Sequence, residues 1–428
     1  MPFKGLFYNP GKVGDLGDVA TLPYDIISES KRERYYAASE FNYVRIILGK
    51  DEPGDNDNKN RYTRAAGYLS KWLSDGVLVE DEKPGFYVYE QEYDVEGVRK
   101  RQVGVIALVK LEPFERGIVL PHEQIYEKPM LDRYSLLKET RASLESIIGL
   151  YADPQHETSK VFGSVMRGKP RIDLAHDDGV RNRIWPVYDQ KTQDFLAGFM
   201  RERKVIIADG HHRYTTALKY LSEDGGDRKR AYIMMLLYSM EEDLTIMPTH
   251  RALSSVPSYD RAKALKKLNE YFNVKEYPMN PGGELDRMRL MFEGLASRKG
   301  KHAFGMYAGG GRFYLMALKD SDMIAELVDN TKSREWNELD VTILHSLVIE
   351  YILGVRRDDM ERIRYVKDRL KAVELVDSGG CDLAFFLNPT KLSQVKAIAE
   401  AGEKMPQKSS YFYPKPLSGL VAFRFQNI

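Results

Sequence analysis

The sequence predicts an α+β fold, and three observations predict it. Two alternating segments, Gly85 to Tyr93 and Lys100 to Leu108, meet across Asp94 to Gly97 as a hairpin. The apolar run Val205, Ile206, Ile207 reads as a buried strand, followed at once by Tyr214, Ala217, Leu218 and Leu221, spaced as one face of a helix. The last third runs helix, strand, helix, hairpin, a pattern that packs helices on one antiparallel sheet. At 428 residues the chain exceeds what one core usually supports, so two or three domains are expected, interleaved or in series. The expected regions are 1–113, 114–254 and 255–428.

The N-terminal region opens with loop-like sequence around Leu22, Pro23, Tyr24 and Asp25, then a strand at Tyr43 to Leu48. The stretch Asp51 to Asn60, rich in Asp, Asn and Gly, is a loop. A helix from about Tyr62 to Asp75 aligns Ala65, Leu69 and Leu73, and the hairpin follows. In the middle region Pro121, His122 and Glu123 follow the apolar Ile118 to Leu120. A charged helix from about Asp132 to Ile148 sets Tyr134, Leu137, Arg141, Leu144 and Ile148 on one face, which draws Arg141 partly inward. Tyr232 to Tyr238 is a further apolar run, and Thr249, His250 and Arg251 close the region. The C-terminal region reads as the helix Tyr259 to Phe272, the strand Asn273 to Pro278, the helix Gly283 to Ser297 and strands flanking Gly309 to Gly311. Helices at Asp340 to Leu353 and Met360 to Ala372, the strand Leu383 to Leu387 and a helix from Lys391 to Ala401 complete it.

Composition narrows the function. A hydrophobic fraction of 43% is ample for packed cores, and 64 basic against 63 acidic residues leave a net charge of +1. That balance gives no global reason to expect nucleic acid or an anionic membrane as partner. The single cysteine, Cys381, excludes an internal disulfide and a cysteine-based zinc site, suits a reducing compartment, and reads as a small buried residue. The first ten residues lack the pattern of a signal peptide, and no apolar run reaches the length of a membrane span. A cytoplasmic protein is expected.

The densest chemistry lies in Ala208, Asp209, Gly210, His211, His212 and Arg213, at the strand-to-helix turn. The first helical N–H groups lack intrahelical partners and the helix dipole is positive there, so phosphate is favoured in front of the turn. Gly210 allows close backbone approach, Arg213 can grip two phosphate oxygens, and the imidazoles can donate to others. Taken singly, Asp209 reads equally as a helix cap and Arg213 as a surface charge; as a contiguous set they read as a phosphate cradle.

With these residues in view, the sequence resembles the family catalogued as domain of unknown function 1015. The shared signatures are Pro23-Tyr24-Asp25, Asn42 to Arg45, Pro121-His122-Glu123 with Asp132-Arg133, Ala208 to Tyr214, Pro248 to Arg251, Asn388-Pro389-Thr390, and Met405 to Ser409 running to Pro414-Lys415. A single proline precedes Tyr24 where two are usual, and Phe41 stands where a proline often precedes the asparagine. The DGHHR turn is similar to the phosphate-binding turn of the ParB and sulfiredoxin superfamily, whose members include kinases of free L-serine. The resemblance implies a ParB/sulfiredoxin-like core with additional α+β regions. It also implies a nucleotide-dependent kinase using ATP or ADP on a small hydroxyl compound, with L-serine favoured.

Phosphoryl transfer needs phosphate positioning, charge neutralisation, usually by magnesium, and a base near the attacking hydroxyl. Gly210, His211, His212 and Arg213 would hold the donor phosphates, and His212 or His211 would stabilise the transferred group. Asp209 is placed to ligate magnesium or to accept the substrate proton. Glu123 is the first choice for the base, if the segment beside His122 buries its carboxylate and raises its pKa. Asp25 either binds a substrate ammonium group or a metal, or caps a helix beginning near Ser28. His122 is assigned to the substrate side, and Arg133 or Arg141 to a substrate carboxylate. His250 and Arg251 add a second cationic wall, and Lys408 and Lys415 fold over the donor as a lid. Two other readings stay open: a metal-dependent hydrolase built on Asp209, His211, His212, His122 and Glu123, and a nucleotide-sensing binding protein.

Overall fold

The computed structural model describes every residue except 125–126, 224–229, 278–282, 321–328, 330, 357–358, 360 and 426–428. The chain folds as two compact units. Met1–Pro121, Ile125–Thr245 and Pro414–Ile428 form the first; His122–Gln124 and Ile246–Tyr413 form the second. Both are mixed α+β.

The first unit is built on an eight-stranded sheet. Its strands run in the order Val119–Leu120, Val205–Asp209, Ile147–Tyr151, Tyr232–Ser239, Val98–Lys110, Phe86–Val95, Arg181–Val187 and Ile172–Ala175. The hairpin Phe86–Val95 and Val98–Lys110 turns at Glu96 and Gly97, both at positive φ (52° and 79°), the sense that matches strand twist. Tyr232–Ser239 runs parallel to Ile147–Tyr151 and antiparallel to Val98–Lys110. It is buried along almost its whole length, which explains an uninterrupted apolar run. Strands from the expected regions 1–113 and 114–254 therefore contribute to one sheet.

Helix Arg61–Ser74 is capped by Asn60, whose side chain accepts from the Tyr62 and Thr63 N–H groups. It buries Ala65, Leu69 and Trp72 in a core with Tyr43, Ile46, Ile47 and Leu136. Two expectations fail in this unit. Residues Val44–Ile47 form a short helix, not a strand, because the Asn42 side chain accepts the Val44 N–H at 3.0 Å and starts a turn. The charged helix spans Glu127–Thr140 and stops there. Arg141 takes φ 50°, and Leu144 and Ile148, which matched a helical face by spacing, are buried along the path into the strand Ile147–Tyr151. A short apolar run fits either element, and sheet pairing decides it.

The second unit carries a six-stranded antiparallel sheet in the order Phe272–Tyr277, Phe313–Leu318, Ala303–Tyr307, Leu383–Phe386, His250–Leu253 and Ile363–Val366. Helices Arg261–Tyr271, Gly283–Ala296 and Arg369–Asp377 pack on it. The expected helix Met360–Ala372 is replaced by the strand Ile363–Val366 and a later helix capped by Asp368; Met360 lies outside the described residues. Asp340–Ile343 begins as an α-helix and widens into π-type turns over Leu344–Ile352. Cys381 is buried, as expected. Among the described residues no helix is long and apolar enough to cross a membrane.

Candidate functional site

In the first unit the strand Val205–Asp209 runs into the 13-residue helix His211–Glu223 through Gly210 alone. Gly210 sits at φ 93°, a conformation that side-chain-bearing residues rarely adopt, and its carbonyl accepts the Tyr214 N–H at 3.0 Å. The chain can therefore leave the sheet and begin the helix within one residue. His211 and His212 become its first two residues, the former buried and the latter half-buried.

Asp209 is held by two cations. Lys415 Nζ donates to its Oδ1 at 2.5 Å and Arg213 Nη2 to its Oδ2 at 2.7 Å. Burial opposes the charge on Asp209, but the Lys415 ammonium and the Arg213 guanidinium outweigh it and hold the carboxyl well below the usual carboxylate range. A carboxylate so depressed is a weak proton acceptor. Burial likewise opposes the charge on Lys415, and Asp209 and Asp25 together push its pKa up. Arg213 folds back over Gly210 and donates through Nη1 to the Ser146 carbonyl at 2.8 Å.

Asp25 belongs to the same cluster: its Oδ2 accepts from Lys415 Nζ at 2.8 Å. The cap of helix Glu29–Ala38 is Ser28, whose hydroxyl accepts the Lys31 N–H, so the capping alternative for Asp25 falls away. Arg133 is 6% exposed and its fork is engaged: Nε donates to Asp132, Nη1 to the Ile47 carbonyl at 2.9 Å, and the guanidinium lies 3.9 Å over the Tyr24 ring. Burial pushes the Tyr24 phenol up to about 12. Arg141 is exposed just past the end of its helix, not drawn inward as its spacing suggested. A cavity of about 40 Å³ lies behind Arg133, Glu145 and Arg213.

The other predicted residues lie in the second unit. His122 is buried, its Nε2 is 2.9 Å from the Ser410 hydroxyl, and its carbonyl accepts the Met405 N–H. Glu123 is half-buried and its Oε1 accepts the Lys408 N–H at 3.2 Å. Lys408 is exposed at φ 55°, whereas Lys415 is buried. His250 and Arg251 form no cationic wall. His250 is buried against Phe386, its Nδ1 accepts the Leu387 N–H at 3.4 Å, and burial with Arg251 alongside lowers its pKa to about 3, leaving it neutral. Arg251 is wholly buried and donates to the carbonyls of Thr249, Gln407 and Lys408 and to His345 Nε2. Among the described residues, no group of three or more His, Cys, Asp or Glu side chains is arranged to hold a metal ion.

Residues 1–342 match the family described as "Protein of unknown function (DUF1015)". The chain belongs to that family. The signatures at Asn388 to Thr390 and Met405 to Lys415 lie beyond the matched residues. Solved structures similar to this DUF1015 chain include a mutant free serine kinase in complex with AMP, 14% identical with a TM-score of 0.34, covering 72% of this chain and 87% of that one. A conserved hypothetical protein from Pyrococcus furiosus is 12% identical with a TM-score of 0.33, over 75% and 96% of the two chains. C-terminally truncated SbnI from Staphylococcus aureus is 10% identical with a TM-score of 0.34, over 73% and 85%. No curated protein matches the chain.

Sequence reasoning passed over Glu145, which is buried and accepts the Tyr24 N–H at 3.3 Å and the Ser418 hydroxyl at 2.8 Å. It was hidden inside a segment that reads as helix surface. It also passed over Gln91, Gln102 and Asn182, three buried amides on neighbouring strands of the large sheet. Their signal is polar side chains where strand alternation calls for apolar ones.

Proposed function

We propose that this DUF1015 chain is a nucleotide-dependent small-molecule kinase that phosphorylates free L-serine, with ATP or ADP as donor. One observation carries the reading: Gly210 at positive φ turns a buried strand directly into a helix headed by His211 and His212, beside a carboxylate kept ionised by Lys415 and Arg213. Such a turn places the positive end of a helix dipole where a phosphate would sit. The adjoining charges are already paired, so binding requires little reorganisation. L-serine as acceptor, and the ParB/sulfiredoxin-like character of the turn, rest on the resemblance of the DGHHR segment. With both Asp209 oxygens facing cations, Asp209 is not presented as a ligand for magnesium, and no step is assigned to a metal there.

The test is to incubate the full chain with magnesium, ATP or ADP, and a panel of small alcohols that includes L-serine, and to look for O-phosphoserine. Product from L-serine supports the reading. Tight nucleotide binding without any phosphorylated product selects a nucleotide sensor instead. The role expected for Glu123 has its own test: Glu123→Gln should lower turnover about 100-fold with nucleotide affinity unchanged if that carboxylate is the base.

A further inference from the structure

Lys415 comes from the end of the chain, yet it is the central cation of the first-unit cluster. Its side chain is 4% exposed, and its ammonium lies where the Asp25 and Asp209 carboxylates converge. Two carboxylates that converge on one point repel each other unless a cation neutralises them. Here an ammonium on a protein tether does so.

The backbone around Lys415 is gripped by side chains of the large sheet. Gln102 Nε2 donates to the Pro414 carbonyl at 3.4 Å, Gln91 Nε2 donates to the Lys415 carbonyl at 3.2 Å, and the Leu417 N–H donates to the Tyr89 hydroxyl at 3.3 Å. These groups hold one another as well. Gln102 Nε2 and the Tyr238 hydroxyl both donate to Gln91 Oε1, at 2.9 and 3.1 Å, and the Tyr89 hydroxyl donates to Asn182 Oδ1 at 2.6 Å. All five side chains are buried. Polar groups in a core are costly unless fully bonded, and a bonded network holds its members in one geometry. This one fixes the path of the strap on both sides of Lys415.

We propose that Lys415 is a tethered cation that neutralises Asp25 and Asp209 at the turn, and that Gln91 and Gln102 are the positioning residues that put it there. Lys415 and Arg213 offset the charges of Asp25 and Asp209, and buried Glu145 has Arg133 Nη1 at 3.9 Å as a further cation. With that balance the turn can receive an anionic phosphate; without Lys415 the carboxylates repel it. The groups facing this cluster are Tyr24 and Asp25 from the N-terminal turn, Glu145 from the segment before Ile147, and His211 and Arg213 from the helix. The catalytic consequence rests on the kinase reading; the charge pairing does not.

The experiment therefore has two arms on the full chain. In the first, phosphoserine formation should fall at least 100-fold in Lys415→Met and about 10-fold in Gln91→Met. In the second, melting temperature is followed from pH 4 to 7. Lys415→Met should lose stability increasingly as pH rises, because Asp209 must then ionise with Arg213 as its nearest cation, and the double variant Lys415→Met/Asp209→Asn should recover most of the loss at pH 7. Recovery in the double variant without phosphoserine from the wild type upholds the tethered cation and sinks the kinase reading. Turnover in Lys415→Met within twofold of wild type, with an unchanged melting profile, overturns the proposal while the kinase reading stands. A Lys415→Met variant that is destabilised equally at every pH and is not recovered by Asp209→Asn also overturns it, because Lys415 would then matter only for packing.

Discussion

Lys415 in the first unit and Arg251 in the second are both buried cations, and they are held in opposite ways. Lys415 sits between two carboxylates, whose attraction exceeds the penalty of burial and pushes its pKa up. Arg251 has three backbone carbonyls, an imidazole and the Tyr365 ring 4.6 Å away, and burial lowers its pKa to about 10. Carbonyl dipoles satisfy its N–H groups without neutralising its charge. The first arrangement balances charge and keeps the Asp209 carboxylate ionised at the strand-to-helix turn. The second uses a charge as a brace, joining Thr249 to the 407–408 loop that carries the partner of Glu123. Two basic residues that look alike in a sequence thus do different things: one balances the carboxylates of a turn, the other braces a loop.

The comparison breaks most readily at Arg251. Arg251→Met removes the buried charge but strands three carbonyls, each costing about 1–3 kcal/mol when left unsatisfied. A loss of about 3 kcal/mol is expected in urea unfolding of the full chain, and Arg251→Lys should restore little because an ammonium cannot span the same acceptors. A variant as stable as wild type would mean that the carbonyls find other donors and that Arg251 is no brace.

How legible these roles were differs between the units. The turn at Asp209 to Arg213 could be read because local sequence dictates it: a buried strand, a glycine and a helical face are contiguous. Lys415 was legible as a cation of interest, but not as the partner of Asp25 and Asp209, since those contacts span 390 and 206 residues of chain. Arg141 was misread because its helix stops early. The helix was expected to run to Ile148, but it ends at Thr140, which leaves Arg141 exposed and turns Glu145 inward. His250 was misread because a histidine beside an arginine suggests a cationic surface, whereas its strand is paired on both sides within an antiparallel sheet and its ring lies against Phe386.

The His250 assignment supplies the next test, since a neutral imidazole separates the second unit's interior from an anion-binding wall. Its folded pKa of about 3 lies below the ordinary value of 6.5, so the unfolded chain takes up a proton that the folded chain refuses. The stability it confers is complete above about pH 6.5 and falls as pH drops toward 3, by roughly 1.4 kcal/mol per pH unit. The loss at pH 5 should be about 2 kcal/mol, and His250→Gln should flatten the profile between pH 7 and 5. An equally steep profile in His250→Gln would place the titrating group elsewhere.

The smallest effect belongs to Gly210, and it separates backbone strain from charge pairing in the first unit. A Cβ at this position would stand 3.0 Å from Arg213 Nε and Nη2, and φ 93° is unfavourable for alanine whatever the space. Gly210→Ala should therefore cost about 1–2 kcal/mol, within the range for a strained backbone residue. It should also shift Arg213 away from Asp209, because the guanidinium and the new methyl compete for one place. The two contributions separate in a double-mutant cycle with Arg213→Ala: strain persists when the arginine is gone, whereas the displacement term vanishes. If the cost of Gly210→Ala is the same in both backgrounds, Arg213 moves aside freely and its pairing with Asp209 is loose. If the cost shrinks without Arg213, the arginine is held tightly over Gly210, as expected of a turn whose charges are fixed before any phosphate arrives.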